Sequence, residues 1–158
     1  MKGLLLLIGL MTVSVEASAQ TVSFTAGGGA LNLSITTATT GSDPTDATDN
    51  STELSWDSQG SATSKITVST TCPGQSFGLY VELTVTSWGS GTSGTEQGEI
   101  QLTDGMLDTD LFRDIPTTSP GGQGSGTLTY RASATTSQGA SVDEGDDVHT
   151  ILLTIAAQ

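Results

Sequence analysis

Residues 77–88 read FGLYVELTVTSW, and they carry the clearest strand pattern in the chain. From Phe77 to Val85 every second residue is apolar, and the intervening residues include Glu82 and Thr84. A strand places alternate side chains on opposite faces, whereas a helix would distribute these apolar groups around its circumference. The stretch therefore predicts a half-buried β-strand, long enough at about 3.3 Å per residue to cross a small domain.

Shorter segments elsewhere show the same strand-like alternation. They predict further strands at residues 52–56, 65–71, 99–103, 127–134 and 148–156. Pro73-Gly74 suits the two central positions of a type II turn, so we expect residues 65–71 to pair with 77–88 as an antiparallel hairpin. Polar, glycine-rich composition predicts loops at residues 36–52 and 120–126.

Two segments need separate treatment. The final strand carries apolar residues on both faces, which predicts a central position or cover on both sides. In residues 104–115, Leu107, Leu111 and Ile115 lie four apart and Pro116 follows. This spacing favours a short helix or turn across an open end of the sheets, although Asp104-Gly105 could equally begin a hairpin return.

The N-terminal part contains an alternating segment, Val22, Phe24 and Ala26, followed by Gly27-Gly28-Gly29. Alternation resumes in the opposite phase at Leu31, Leu33 and Ile35. The triple glycine could form a bulge, a tight turn or a flexible hinge between two strands.

These patterns predict an all-β fold, an antiparallel Greek-key (immunoglobulin-like) β-sandwich of about eight strands. Met1–Ala19 has a basic start, a short apolar run and small residues before the expected cleavage point, which is typical of a secretory signal peptide. We expect residues 20–158 to form one domain, with residues 20–29 as an N-terminal strand segment. No later stretch is apolar enough to predict a transmembrane segment. The expected location is therefore extracellular or at the cell surface.

The chain is strongly acidic, with a formal net charge of −13. Beyond the leader its basic residues are Lys65, Arg113 and Arg131, so phosphate would be repelled and nucleic acid is excluded as an expected partner. The acidic surface suggests adaptation to high salt, as in halophilic proteins, or an acidic secreted protein in ordinary medium.

No residue pattern predicts catalysis or a cofactor. Gly74-Gln75-Ser76-Phe77-Gly78 matches G-x-S-x-G, but a strand follows the serine where a nucleophile elbow requires a helix. His149 is the sole histidine, so a multi-histidine metal site is excluded. The acidic clusters at 43–53 and 143–147 lack EF-hand spacing, and solvated loops are favoured over calcium sites.

Cys72 is the sole cysteine and excludes an intrachain disulfide. Its phase with Ile66 and Val68 points it toward the core, which favours a buried, inert thiol over an intermolecular bridge. Trp56 and Trp88 are expected inside because aromatic residues are scarce, whereas an exposed tryptophan would suit a binding platform.

The leader, the small β-sandwich and the end of the chain resemble bacterial fimbrial subunits of the chaperone–usher class and its relatives of the spore coat U type. The resemblance rests on Gly126-Thr127-Leu128-Thr129-Tyr130, on Gly145 fourteenth from the C-terminus, and on residues 148–155. Ala157 departs from the usual penultimate aromatic residue, and Cys72 alone replaces the common disulfide pair. The resemblance implies assembly by strand donation, with a periplasmic chaperone as a further partner.

We therefore expect a non-enzymatic structural subunit of a surface filament or adhesive layer, which self-associates or joins related subunits by β-strand addition. The alternative is a monomeric binding module for carbohydrate or protein. The candidate residues for subunit interaction are Val22, Phe24, Ala26, Ile151, Leu153 and Ile155. For residues 21–26 two alternatives stand: donation to a neighbouring subunit, or an ordinary edge strand with a bulge.

Overall fold

The computed structural model describes residues 20–36, 40–59, 62–89, 94–117, 122–139 and 147–158. These ranges contain nine strands and one four-residue helix. The strands are β1 (Thr21–Ala26), β2 (Ala47–Asp57), β3 (Ser64–Thr71), β4 (Gly78–Trp88), β5 (Thr95–Glu96), β6 (Ile100–Leu102), β7 (Thr109–Ile115), β8 (Gln123–Ser133) and β9 (Thr150–Ala157), and the helix is α1 (Thr136–Gly139).

The strands form two sheets in which all neighbours are antiparallel. The five-stranded sheet has the order β1-β2-β8-β4-β6, and the four-stranded sheet has the order β5-β7-β3-β9. Side chains from both sheets share one buried core, so the fold is all-β and sandwich-like. Among the described residues, the single helix is much too short to cross a membrane.

The core forms where the alternating strands turn their apolar faces toward each other. Val81 and Leu83 of β4 are completely or almost completely buried, as the alternation predicts. They belong to the same buried cluster as Ile66 and Val68 of the opposite sheet. Phe112 is fully buried, with its ring centroid 5.2 Å from that of Trp56. Offset and tilted aromatic pairs of this kind add to the stabilisation that buried area provides.

The prediction that residues 65–71 and 77–88 form a hairpin is wrong, although the turn itself forms. The amide of Gln75 donates to the carbonyl of Cys72 at 3.0 Å, and Gly74 has a φ of 78°. After this turn the chain crosses to the other sheet, so β3 pairs with β7 and β9 while β4 pairs with β6 and β8. The turn signal is local, and it carries no information about which sheet receives the next strand.

The prediction of a short helix or turn in residues 104–115 is also wrong for most of these residues, because Thr109–Ile115 is strand β7. Its ladder with β3 shifts register twice, and Leu111 and Phe112 are both fully buried although they are neighbours in sequence. Irregular pairing thus removes the simple alternation that would have predicted a strand.

Other boundaries differ from expectation in smaller ways. β2 begins at Ala47 within the predicted loop 36–52, and β8 begins at Gln123 within the predicted loop 120–126. Leu31, Leu33 and Ile35 lie in a segment without regular structure. Met1–Ala19 and residues 143–146 lie outside the described residues, so the predicted leader and most of the second acidic cluster have no structural counterpart here.

Candidate assembly edge

Strands β1 and β9 are the outermost strands on one side of the molecule, and we call this pair the assembly edge. β1 ends the five-stranded sheet and β9 ends the four-stranded sheet. The two strands contact each other, and Val22, Phe24 and Leu153 line one small cleft together with Leu54. All six predicted interaction residues lie on these two strands. The structure therefore brings the two halves of the predicted site together.

Within the single chain, β1 pairs with its own β2. Val22 lies opposite Trp56 and Phe24 opposite Leu54, with a register shift between Phe24 and Ala26. This geometry is the edge strand with a bulge that was one of the two alternatives for residues 21–26. Five of the six residues of β1 are exposed, and Phe24 is 49% exposed. Val22 is partly buried against the core. β1 therefore contributes few buried contacts to its own fold.

Glycines let the chain turn away directly after β1. Gly27 and Gly28 have φ values of 66° and 75°, which favour glycine. A Cβ atom on Gly27 would lie 2.8 Å from the Cα atom of Thr52, and one on Gly28 would lie 2.5 Å from the ring of Phe24. Of the three possibilities for the triple glycine, the structure shows a tight change of direction beside a bulge.

β9 contributes alternating side chains to the core from the other sheet. Ile151, Leu153 and Ile155 are partly buried and pack against the core cluster. The opposite face carries Leu152, which is 62% exposed, and Val148 just before the strand is 74% exposed. The expectation that the final strand is central or covered on both sides is therefore wrong within the described residues, because β9 is an edge strand with an open outer face.

The other side of the molecule has much shorter edges. β5 has two residues and β6 has three. Short edge strands are one way in which proteins prevent sheet edges from pairing with other chains. β9 by contrast has eight residues, TILLTIAA, without charge or proline. In the described part of the chain, the longer and less protected edge strands are therefore β1 and β9.

Polar interactions reinforce the far edge of the five-stranded sheet. Arg131 on β8 donates to both carboxylate oxygens of Glu99, at 2.6 and 2.7 Å, and to Asp46 at 2.6 Å. Its guanidinium carbon lies 4.0 Å from the centroid of the Tyr80 ring. Hydrogen bonding to Arg131 lowers the pKa of Glu99 below its ordinary value. Nearby in β8, burial raises the pKa of Tyr130 to about 12.

The cleft in the assembly edge has a volume of about 40 Å³. Small-molecule sites usually occupy about 300–1,000 Å³, so this cleft fits a side chain of a partner strand better than a separate ligand. A larger cleft of about 360 Å³ lies at one end of the molecule, lined by Gln75, Tyr80, Gln101 and Gln138. There the Gln75 amide nitrogen donates to the carbonyls of Phe77 and Leu102, and Gln138 donates to that of Ser76. Much of its polar lining is thus already used within the protein.

The structure also places the other residues singled out from the sequence, which are Ser76, Cys72 and the two tryptophans. Ser76 lies between a turn and strand β4, and its hydroxyl donates to the carbonyl of Gly74 at 3.4 Å. Strand β4 follows this serine as predicted, where a nucleophile elbow would require a helix. Cys72 is 1% exposed, which confirms the buried thiol. Trp56 is buried as expected, but Trp88 is 39% exposed, contrary to the expectation that both would be inside.

Two features of the structure were missed from the sequence. The apolar residues on both faces of the final strand were noticed, but exposure of the outer face was not inferred. The second omission is the convergence of Cys72 and His149, which becomes visible only from the register of β3 with β9.

Comparison of the chain with models of protein families, with curated proteins and with solved structures finds no match.

Proposed function

We propose that this protein is a non-enzymatic, exported structural subunit of a surface filament or adhesive layer, and that its subunits join by β-strand addition. In the assembly, β1 of one subunit occupies the position beside β2 and β9 of its neighbour. Partners are further copies of the chain or related subunits, with a periplasmic chaperone during export. The subunit fold in this proposal is the immunoglobulin-like Greek-key sandwich. Alternation of β2, β3 and β4 between the two sheets supports that topology.

The observation that carries the proposal is the weak attachment of β1 to its own chain. Five of its six residues are exposed, and the bulge after Phe24 interrupts its ladder with β2. Complete burial of a valine side chain contributes about 1.5–3 kcal/mol, so the partly buried Val22 contributes less than that. Segments with few buried contacts open at low free-energy cost. Release of β1 from its own subunit is therefore compatible with an otherwise intact fold.

The connection after β1 supports exchange between subunits. Gly27 and Gly28 begin an irregular segment, and β2 does not start until Ala47. A strand that leaves its own sheet needs such a length of chain to reach a neighbour. Because the donated strand makes the same contacts in either subunit, protein concentration and additional contacts decide the outcome. The exposed outer face of β9 supplies apolar surface for those additional contacts.

Deletion of Gln20–Ala26 tests this proposal. The shortened protein should remain folded by circular dichroism and stay monomeric by light scattering, while the intact chain forms larger species. A peptide with the sequence of residues 20–26 should bind to the shortened protein. The matched control is the same peptide with Phe24→Asp, which should bind much more weakly because a charge would enter an apolar cleft. Unfolding of the shortened protein would mean that β1 is an integral intrachain strand and would contradict the proposal.

The exposure of Trp88 favours a second candidate function, a monomeric binding module. Its ring centroid lies 5.7 Å from that of Phe112, which holds the indole against the core while 39% of the residue remains accessible. Aromatic side chains with one free face are suited to sugar rings. Titration with soluble oligosaccharides, followed by tryptophan fluorescence, tests this candidate. The signal should change in the intact protein and not in Trp88→Ala.

A further inference from the structure

We propose that Cys72, Asp147 and His149 form a binding site for a zinc ion. One potential ligand atom from each side chain, the thiol sulfur, a carboxylate oxygen and an imidazole nitrogen, lies within 4.8 Å of the others. The three residues come from the end of β3 and the segment that enters β9. This cluster is separate from the six predicted residues of the assembly edge.

The register of β3 with β9 explains why these residues meet. The ladder ends with Thr71 opposite Thr150, so one further antiparallel step places Cys72 opposite His149. Side chains directly opposite each other on one face have Cβ atoms about 4.5–5.5 Å apart. Asp147 precedes His149 by two residues, and alternate residues of an extended chain project to the same side. Three donors of different chemistry therefore converge at one point.

Hydrogen bonds with neighbouring groups orient two of the three side chains, those of Asp147 and His149. The Asp147 carboxylate accepts the backbone N–H of Ser76 at 2.9 Å and that of Phe77 at 2.7 Å. His149 Nδ1 lies 3.2 Å from the hydroxyl oxygen of Thr70. Metal ligands in proteins are commonly held by outer hydrogen bonds of this kind.

The ligand types select the metal. Thiolate, imidazole and carboxylate together suit zinc, whereas calcium and magnesium prefer oxygen ligands throughout. On binding, the thiol of Cys72 releases its proton to solvent, and the thiolate and the Asp147 carboxylate then balance the two positive charges. Tetrahedral zinc holds its ligand atoms about 3.5 Å apart, so the cluster must contract by about 1 Å. Asp147 and His149 are half-buried, which leaves access for the ion and for a water molecule as fourth ligand.

Zinc at this position would fasten the start of β9 to the turn that follows β3. Asp147 already links this segment to the start of β4 through Ser76 and Phe77. The chain has one cysteine and hence no intrachain disulfide. A metal that binds the folded state and not the unfolded state stabilises the fold in proportion to its occupancy. The structure therefore assigns zinc a stabilising role at the end of the sheet that carries β9.

Zinc binding to the purified full chain tests the inference directly. We expect one zinc ion per chain by competition with a chromophoric chelator, and at least about 100-fold weaker binding in Cys72→Ser and in His149→Gln. Cobalt(II) should produce a thiolate-to-metal charge-transfer band in the intact protein that Cys72→Ser abolishes. Zinc should also raise the melting temperature of the intact protein and leave that of His149→Gln unchanged.

Asp114→Asn is the matched control because it removes one carboxylate on β7 near the opposite end of β3, where Ser64 pairs with Ile115. This variant should bind zinc as tightly as the intact chain. His149→Gln changes a half-buried side chain, so it keeps the test valid if Cys72→Ser fails to fold. Absence of stoichiometric binding would overturn the inference. Equal binding by the intact chain and by His149→Gln would also overturn it, because the acidic surface would then be the source of the affinity.

Discussion

Leu152 lies directly opposite Ser69 in the ladder between β3 and β9, and the leucine is 62% exposed. The hydroxyl of Ser69 accepts the backbone N–H of Asp108 at 3.0 Å, so the neighbour of the leucine is already engaged in a polar contact. Among the described residues Leu152 is thus a large apolar side chain left open on the outer face of an edge strand. Open apolar surface on an uncharged edge is typical of sites of strand addition or aggregation.

Leu152→Lys should therefore weaken assembly without weakening the fold. Lysine on an edge strand opposes pairing with other chains, and an exposed substitution changes the free energy of unfolding by no more than about 0.5 kcal/mol. Sedimentation velocity measures the assembly and urea unfolding measures the stability. Thr84→Lys adds the same charge at an exposed position on β4 and should assemble normally. If Leu152→Lys and Thr84→Lys assembled equally well, β9 would not be part of the interface.

Gly124→Ala should destabilise the fold. A Cβ atom at Gly124 on β8 would overlap the indole ring of Trp56, which is 4% exposed and has little room to move. Overpacking of this kind costs about 1–3 kcal/mol of unfolding free energy, measurable by urea unfolding. Gly29→Ala is the control because a Cβ there meets nothing within 4 Å. A neutral result for Gly124→Ala would show that Trp56 repacks freely.

Arg131→Gln should lower stability in a pH-dependent way. Hydrogen bonds from Arg131 hold the pKa of Glu99 below its ordinary value of 4.5. A carboxyl group whose pKa is lower in the folded state stabilises the fold above its unfolded pKa, and this contribution disappears as the pH falls through the folded pKa. Near neutral pH the variant should lose up to about 1 kcal/mol of unfolding free energy, since the pair is partly exposed.

The difference in unfolding free energy between Arg131→Gln and the intact protein should then shrink as the pH falls below 4.5. Urea unfolding across this pH range measures that difference. Arg113→Gln is the control, because Arg113 approaches Asp110 only at 3.4 Å and the pair is partly exposed. It should show a smaller difference at every pH. If the loss of unfolding free energy in Arg131→Gln stays constant from neutral to acidic pH, the lost stability comes from stacking on Tyr80 and not from the carboxylate of Glu99.

Strand positions could be predicted from the sequence where alternation is regular. Residues 77–88 give β4 almost to the residue, because Val81 and Leu83 face a core that buries one side of the strand only. β7 could not be predicted in this way. Its register shifts against β3 turn the consecutive residues Leu111 and Phe112 inward, and a period of two then disappears from the sequence.

Pairing between strands was less predictable than their positions. The turn at Pro73-Gly74 forms, but the strands on either side join different sheets, because inter-sheet connections are set by packing of the whole core. For the same reason Leu152 was expected to be covered, since its sequence neighbours do not reveal that β9 ends a sheet. The six candidate residues at the assembly edge could be selected because their alternation is local, whereas the proximity of β1 and β9 required the structure.

In the proposed assembly β1 pairs with a neighbouring subunit, and disulfide cross-linking detects this pairing. Ser23 and Ser55 are register partners, and their hydroxyl oxygens lie 3.2 Å apart. Disulfides require such proximity of opposed side chains. Ser23→Cys and Ser55→Cys should be prepared as separate proteins, mixed in equal amounts under mild oxidation and analysed on non-reducing gels.

Strand donation predicts heterodimers containing the Ser23→Cys and Ser55→Cys chains in this mixture, and a ladder of covalent multimers when one chain carries both substitutions. The intact protein is the control, because its single thiol, that of Cys72, is 1% exposed and should not cross-link. A doubly substituted chain that forms only an internally linked monomer, together with a mixture that yields no heterodimer, would contradict strand donation.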